Sequence, residues 1–253
     1  MTAPLLAAVV GLGAGLLSGA FGVGGGAVTT PAIRMLLGYP ELVAVGTPLP
    51  VIIPTAIAGA MTHARLGTAD VRAGLLLGAW GAPAAVVGAL LSRVVGGRAV
   101  LIITAVVIVA VAVDMMRFSL SVAGGGPDNV SGRVRSPALL GMATGLYSGF
   151  LGLGGGFVLV PLLYRLNGFP IKRAIGTSLV AVAVFAVPGS ITHWALGHVD
   201  IGLALALTVG VVPGAIIGAR LAFAARERTI RTVFALFLAS VGVVMGLTET
   251  GVL

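Results

Sequence analysis

Ten apolar stretches follow one another along the chain, at 3–22, 23–37, 42–61, 73–91 and 99–113, then at 137–153, 154–164, 174–192, 201–219 and 232–247. Together they carry one charged residue, Arg34. Several are close to the roughly 20 residues that a helix needs to cross a bilayer. No water-soluble core can absorb that much apolar length, and charged residues make up only 9% of the chain against about 25% in soluble domains. The chain is therefore predicted to be an all-α, multi-pass membrane protein. No basic n-region precedes the first apolar stretch, so no cleavable signal sequence is expected.

The absence of cysteine excludes disulfides, thiolate metal sites and thiol nucleophiles. The net charge of +8 rests on 15 basic residues that mostly flank the apolar stretches. That placement suits membrane topology and not nucleic-acid binding.

A polar stretch, Gly124-Gly-Gly-Pro-Asp-Asn-Val-Ser-Gly-Arg-Val-Arg135, separates five segments from five and cannot sit in hydrocarbon. The chain divides into a first repeat at 1–123, a linker at 124–136 and a second repeat at 137–253. The repeats are copies. Shifting by 130 positions aligns Gly11-Leu-Gly-Ala-Gly-Leu-Leu-Ser-Gly-Ala-Phe-Gly-Val-Gly-Gly-Gly26 with Gly141-Met-Ala-Thr-Gly-Leu-Tyr-Ser-Gly-Phe-Leu-Gly-Leu-Gly-Gly-Gly156. The register runs ungapped to Leu91 against Leu221, with roughly two positions in five identical, including Gly46-Thr47 with Gly176-Thr177, Thr62-His63 with Thr192-His193, and Asp70 with Asp200.

The charge pattern selects between parallel and inverted copies. With an odd number of crossings per repeat, 12 basic residues share one side and only Arg34, Arg93 and Arg98 lie opposite. An even number gives 10 against 5. The positive-inside rule therefore favours inverted repeats, a cytoplasmic linker and both termini outside, whether all five segments of a repeat cross or the first two form a re-entrant hairpin.

Each repeat opens with a glycine-rich helix that should break at Gly24-Gly25-Gly26 or Gly154-Gly155-Gly156, because three consecutive glycines do not hold a helix. Irregular backbone at membrane depth must be buried in protein or line a cavity. The helix restarting after each triplet offers free amides and a positive dipole end, so the breaks are predicted to bind a small anion near the midplane. Gly11, Gly15 and Gly19, spaced by four, serve close helix packing.

The doubled glycine motif, each copy followed five residues later by Pro31 or Pro161, resembles the sulfite exporter TauE/SafE family over nearly the whole chain. The resemblance implies a secondary transporter of sulfur-containing anions, sulfite or organosulfonates, in the cell inner membrane. It implies no cofactor.

Around the motif, Ser18 and Ser148 can donate to an oxyanion or bond back to their own helix. Tyr147 can add a donor or simply pack. Thr47, Thr177 and Ser178 can cap helix ends or contact substrate. His63 and His193 suit a gate or proton relay, or interfacial capping, while Asp70 and Asp200 occupy N-cap positions. A metal site shared by the two histidines is not expected, since inversion separates them. No carboxylate lies mid-segment, which argues against coupling through a buried carboxylate. A coupling proton or cation is still allowed, since sodium can bind carbonyls and a substrate can carry its own proton. No residue set supports catalysis. The rival readings are a membrane-embedded enzyme or assembly factor, and an anion channel. The sequence leaves oligomeric state open.

Overall fold

A computed structural model describes residues 2–121, 134 and 136–250. Apart from Val134 and Ser136, the linker lies outside the described residues. Every regular element among them is helical. The first half forms α1 (Thr2–Phe21), α2 (Gly26–Pro31) continuing into a π-helical turn (Ala32–Leu36), α3 (Glu41–Gly46), α4 (Pro48–Arg65), α5 (Val71–Val95) and α6 (Gly97–Ser121). The second forms α7 (Pro137–Leu151), α8 (Gly156–Asn167), α9 (Ile171–Ala195), α10 (Ile201–Ala224) and α11 (Glu227–Thr250). Six spans among the described residues are long and apolar enough to cross a membrane: Glu41–Arg65, Val71–Val95, Gly97–Asp114, Ile171–Ala195, Ile201–Ala224 and Glu227–Leu247. Leu5–Phe21 and Gly156–Asn167 are shorter apolar helices. Large aliphatic side chains such as Leu5, Val94, Leu139 and Val209 are exposed, as lipid-facing positions require.

The ten predicted segments correspond to these helices at the 130-residue offset, with two asymmetries: α2 passes into a π-helical turn where α8 runs on, and the third segment is interrupted in the first half alone. Pro48, Pro50 and Pro54 stand where the second half has Ser178, Val180 and Val184. Proline removes a helical donor and clashes with the preceding turn. The first copy is accordingly interrupted at Thr47, between α3 and α4, whereas α9 runs unbroken.

The main helix pairings join the two halves. α1 lies along α10, α7 along α5, α4 along α9 and α6 along α11. Glycine makes the closest of these approaches. Gly11, Gly15 and Gly19 abut the backbone of Leu207, Val211 and Ala215 in turn, and Gly210, Gly214 and Gly218 return the fit against Ala8, Leu12 and Leu16. Lipid supplies no hydrophobic drive for helix association, so close backbone packing has to provide it. A Cβ on Gly15 would lie 2.7 Å from the Val211 Cα, too near for any side chain. The order of these contacts shows that α1 and α10 run in the same direction. So do α7 and α5, where Gly141, Gly145 and Gly149 meet Leu77, Gly81 and Ala85. The equivalent helices α4 and α9 run oppositely, since Gly59 lies by Leu179 and Gly189 by Leu49. α6 and α11 do the same, with Gly242 by Ile108 and Gly246 by Ala105.

Candidate functional site

Both glycine-rich helices break where the sequence places the break. Gly22, Gly24 and Gly25 have φ of 75°, 84° and 89°, and Gly152, Gly154 and Gly155 have 69°, 84° and 63°. Positive φ at three of four positions is open to glycine and strained for any residue bearing a Cβ. The turn sends the chain back along the helix it has just left, leaving Gly25 beside Ala14 and Ser18, and Gly155 beside Thr144 and Ser148.

The two breaks touch. A Cβ on Gly24 would stand 3.8 Å from the Gly154 Cα, one on Gly26 2.6 Å from the Leu153 Cα, and one on Gly154 3.1 Å from the Val23 carbonyl oxygen. Residues 21–27 and 151–157 are buried throughout, packed among Ile52, Val182 and Phe185. The amides of Val23, Gly24 and Gly25, and of Leu153, Gly154 and Gly155, donate to no protein oxygen among the described residues. A buried amide left without a partner is costly, and here six are gathered at one place. The helices restarting at Gly26 and Gly156 add their N-terminal dipoles.

The side chains beside the breaks repeat the pattern. The Ser18 and Ser148 hydroxyls and the Tyr147 phenol are buried without a hydrogen-bond partner. The serines thus do not bond back to their own helices. Tyr147 also packs on Phe157, ring centroids 5.4 Å apart. Ser178 reaches the first break by donating to the Gly22 carbonyl at 3.0 Å. The Thr30 hydroxyl is likewise buried and unpartnered, which the sequence does not announce. Its counterpart is Val160, so the repeat gave no signal. Thr55, beside Gly25, faces the same difficulty opposite Phe185.

Thr47 and Thr177 do their visible work elsewhere, at two loop corners. The Asp70 amide donates to the Thr177 hydroxyl and the Asp200 amide to the Thr47 hydroxyl, each at 3.0 Å, so each half holds the other's loop. Asp70 and Asp200 are N-caps as predicted, accepting from Ala73 at 2.9 Å and from Leu203 at 2.8 Å. Burial works to raise the Asp70 carboxyl, but the Ala73 amide and Arg173 together hold it below its ordinary value.

His63 and His193 are buried at these corners and not at an exposed interface. Nε2 of His63 donates to the Gly19 carbonyl at 2.9 Å, and Nε2 of His193 to the Gly149 carbonyl at 2.8 Å. These carbonyls belong to the last turns of α1 and α7, where a helix has no internal donor left. Each histidine therefore caps the helix that runs into a glycine break. The second ring nitrogen of His63 meets Thr68 at 2.8 Å, and that of His193 meets His198 at 3.2 Å. Among the described residues no three His, Cys, Asp or Glu gather as metal ligands. The nearest arginines along α2 and α8 are engaged in ion pairs, Arg34 with Glu41 at 2.6 Å and Arg165 with Asp114.

The sulfite exporter TauE/SafE family model matches residues 7–245. The chain is 26% identical to the probable membrane transporter protein YunE of Bacillus subtilis, over 92% of this chain and 94% of that one. It is 28% identical to a probable membrane transporter protein of Xylella fastidiosa (93% and 90%) and 25% identical to the probable membrane transporter protein MJ0441 of Methanocaldococcus jannaschii (96% and 94%). No solved structure matches. With its doubled glycine breaks and its six candidate spans, the chain belongs to the sulfite exporter TauE/SafE family of membrane transporters.

Proposed function

We propose that the chain is a secondary transporter of small sulfur-containing anions, sulfite or organosulfonates, in the cell inner membrane. The observation that carries the reading is the meeting of the two breaks, with six free amides and the unpartnered hydroxyls of Ser18 and Ser148 buried around them. Free donors converging without a basic side chain suit a small oxyanion held chiefly by backbone. The pairing of Arg34 and Arg165 with carboxylates supports the same division of labour.

The two halves, 1–123 and 137–253, act as inverted repeats. Support comes from the opposed directions of α4 and α9 and of α6 and α11, and from the 12-to-3 division of basic residues. With α1–α2 and α7–α8 as re-entrant hairpins and three crossings in each half, the linker is cytoplasmic and both termini are outside. His63 and His193 gate the site by holding α1 and α7 from opposite sides, and alternating access releases one corner while the other stays closed. Thr47, Thr177 and Ser178 position this frame. Ser18, Ser148 and Tyr147 contact the anion. A proton carried by the substrate or by a histidine supplies the coupling.

Uptake into proteoliposomes tests the class. Saturable sulfite or sulfonate flux with counterflow is the expected result; a high ohmic anion current would make the protein a channel and overturn the carrier reading.

A further inference from the structure

A groove of about 530 Å³ runs between α4 and α10, with none of the glycine-break residues in its lining. Pro54, Met61 and Arg65 line it from α4 and Val212, Ile216 and Arg220 from α10, and because the two helices run in the same direction each contributes its arginine toward the same end. Neither arginine makes an ion pair or hydrogen bond among the described residues, and no lining residue is acidic. Ile57 and Met61 are about half exposed, so the groove opens sideways.

Its length fits one leaflet. From Pro54 to Arg65 the helix climbs about 16 Å at 1.5 Å per residue, close to half of the roughly 30 Å hydrocarbon core. The apolar part therefore reaches from the headgroup level to the midplane, and the two charges lie at headgroup depth. The internal repeat supplies a control. The equivalent crossing of α9 with α5 has Ala195 in place of Arg65 and Leu90 in place of Arg220. The fold builds this crossing without the arginines, so packing does not demand them. Paired cations above an apolar slot between membrane helices are complementary to an anionic lipid.

We propose that this groove holds one anionic phospholipid, with an acyl chain along α4 and α10 and the headgroup phosphate on Arg65 and Arg220. The site requires only that the chain spans a bilayer, and is independent of the transported anion.

The test is thermal unfolding of purified protein in neutral detergent, with added phosphatidylglycerol, phosphatidylcholine or glycerol 1-phosphate. A lipid that binds the folded state raises the melting temperature with concentration. Phosphatidylglycerol should do so, and the other two should not. In Arg65→Gln/Arg220→Gln the response should need about tenfold more lipid or vanish, because each arginine contributes charged hydrogen bonds to the phosphate. Ala58→Phe, which fills the slot but keeps both charges, should abolish it as well, and native mass spectrometry should lose the bound lipid in both variants. An equal response to phosphatidylcholine, a response to glycerol 1-phosphate matching that to phosphatidylglycerol, or an unchanged response in both variants overturns the proposal. None of these results touches anion uptake, so its failure and that of the transport reading are separable.

Discussion

The two corners of the molecule, residues 63–70 and 193–200, perform one task with different chemistry. In each, a buried histidine caps the last turn of a hairpin helix, and the aspartate seven residues later caps the helix that follows. The first corner adds a cross-half ion pair, Arg173 to Asp70 at 2.7 Å, and a threonine partner for its histidine. The second has no ion pair at Asp200 among the described residues, and its histidine meets a second histidine, His198. The difference traces to two repeat positions: Arg173 stands opposite Val43, and Thr68 opposite His198. A duplicated frame has kept its geometry and diverged in what braces each corner. Both corners hold a buried imidazole, and the second holds one more, so acid should weaken the second corner more.

The largest effect should come from removing what the corners share. His63→Ala or His193→Ala leaves a buried carbonyl without a donor and opens a cavity, a cost of about 3 kcal/mol. Both variants should unfold at clearly lower temperature in detergent. If either melts like wild type, its histidine is not holding its hairpin. Next, Asp70→Ala should cost about 2 kcal/mol, about 1 for the cap and up to about 1 for a partly exposed ion pair. Asp200→Ala, with only the cap to lose, should cost about 1 kcal/mol. Equal losses would mean that Arg173 contributes nothing and would erase the asymmetry.

The smallest effect is in pH. Burial first, and then the Arg93 charge, lowers the His198 pKa, so folding favours its neutral form. Unfolded histidine takes up a proton near pH 6.5. The unfolded state then binds more protons than the folded one as pH falls below that value, and stability is lost on acidification through this window. His198→Thr, which copies the first corner, should lessen the fall in melting temperature between pH 7 and 5.5. A slope unchanged from wild type would assign the sensitivity to another group.

Much of this frame is legible in the sequence because its causes are local. A glycine triplet announces positive φ, an aspartate before an apolar run announces an N-cap, and three prolines announce the break at Thr47. The offset of 130 residues carries each reading into the second half. What a single chain does not announce is which helices become neighbours. Hydropathy is blind to partner choice, so the fit of α1 on α10 is not readable from it. For the same reason His63 reads as an interfacial residue until Gly19, 44 positions away, is seen to need its proton. Thr47 and Thr177 read as helix caps or substrate contacts, and only the folded chain shows that their oxygens accept from the opposite loops. Thr30 stayed hidden because a threonine within an apolar helix looks like packing and its repeat partner is valine.

On the proposed function, backbone amides at the two touching breaks hold the anion. Gly25→Ala tests it most directly, because a methyl there meets nothing nearer than 3.7 Å, and the change therefore acts through the positive φ and the open face of the amides. Binding of sulfite or an organosulfonate, measured on folded protein in detergent, should be lost in Gly25→Ala and kept in Arg34→Gln and Arg165→Gln, where only the long-range field changes. Normal binding by the glycine variant together with none by the arginine variants would contradict the amide site and put a cationic one in its place.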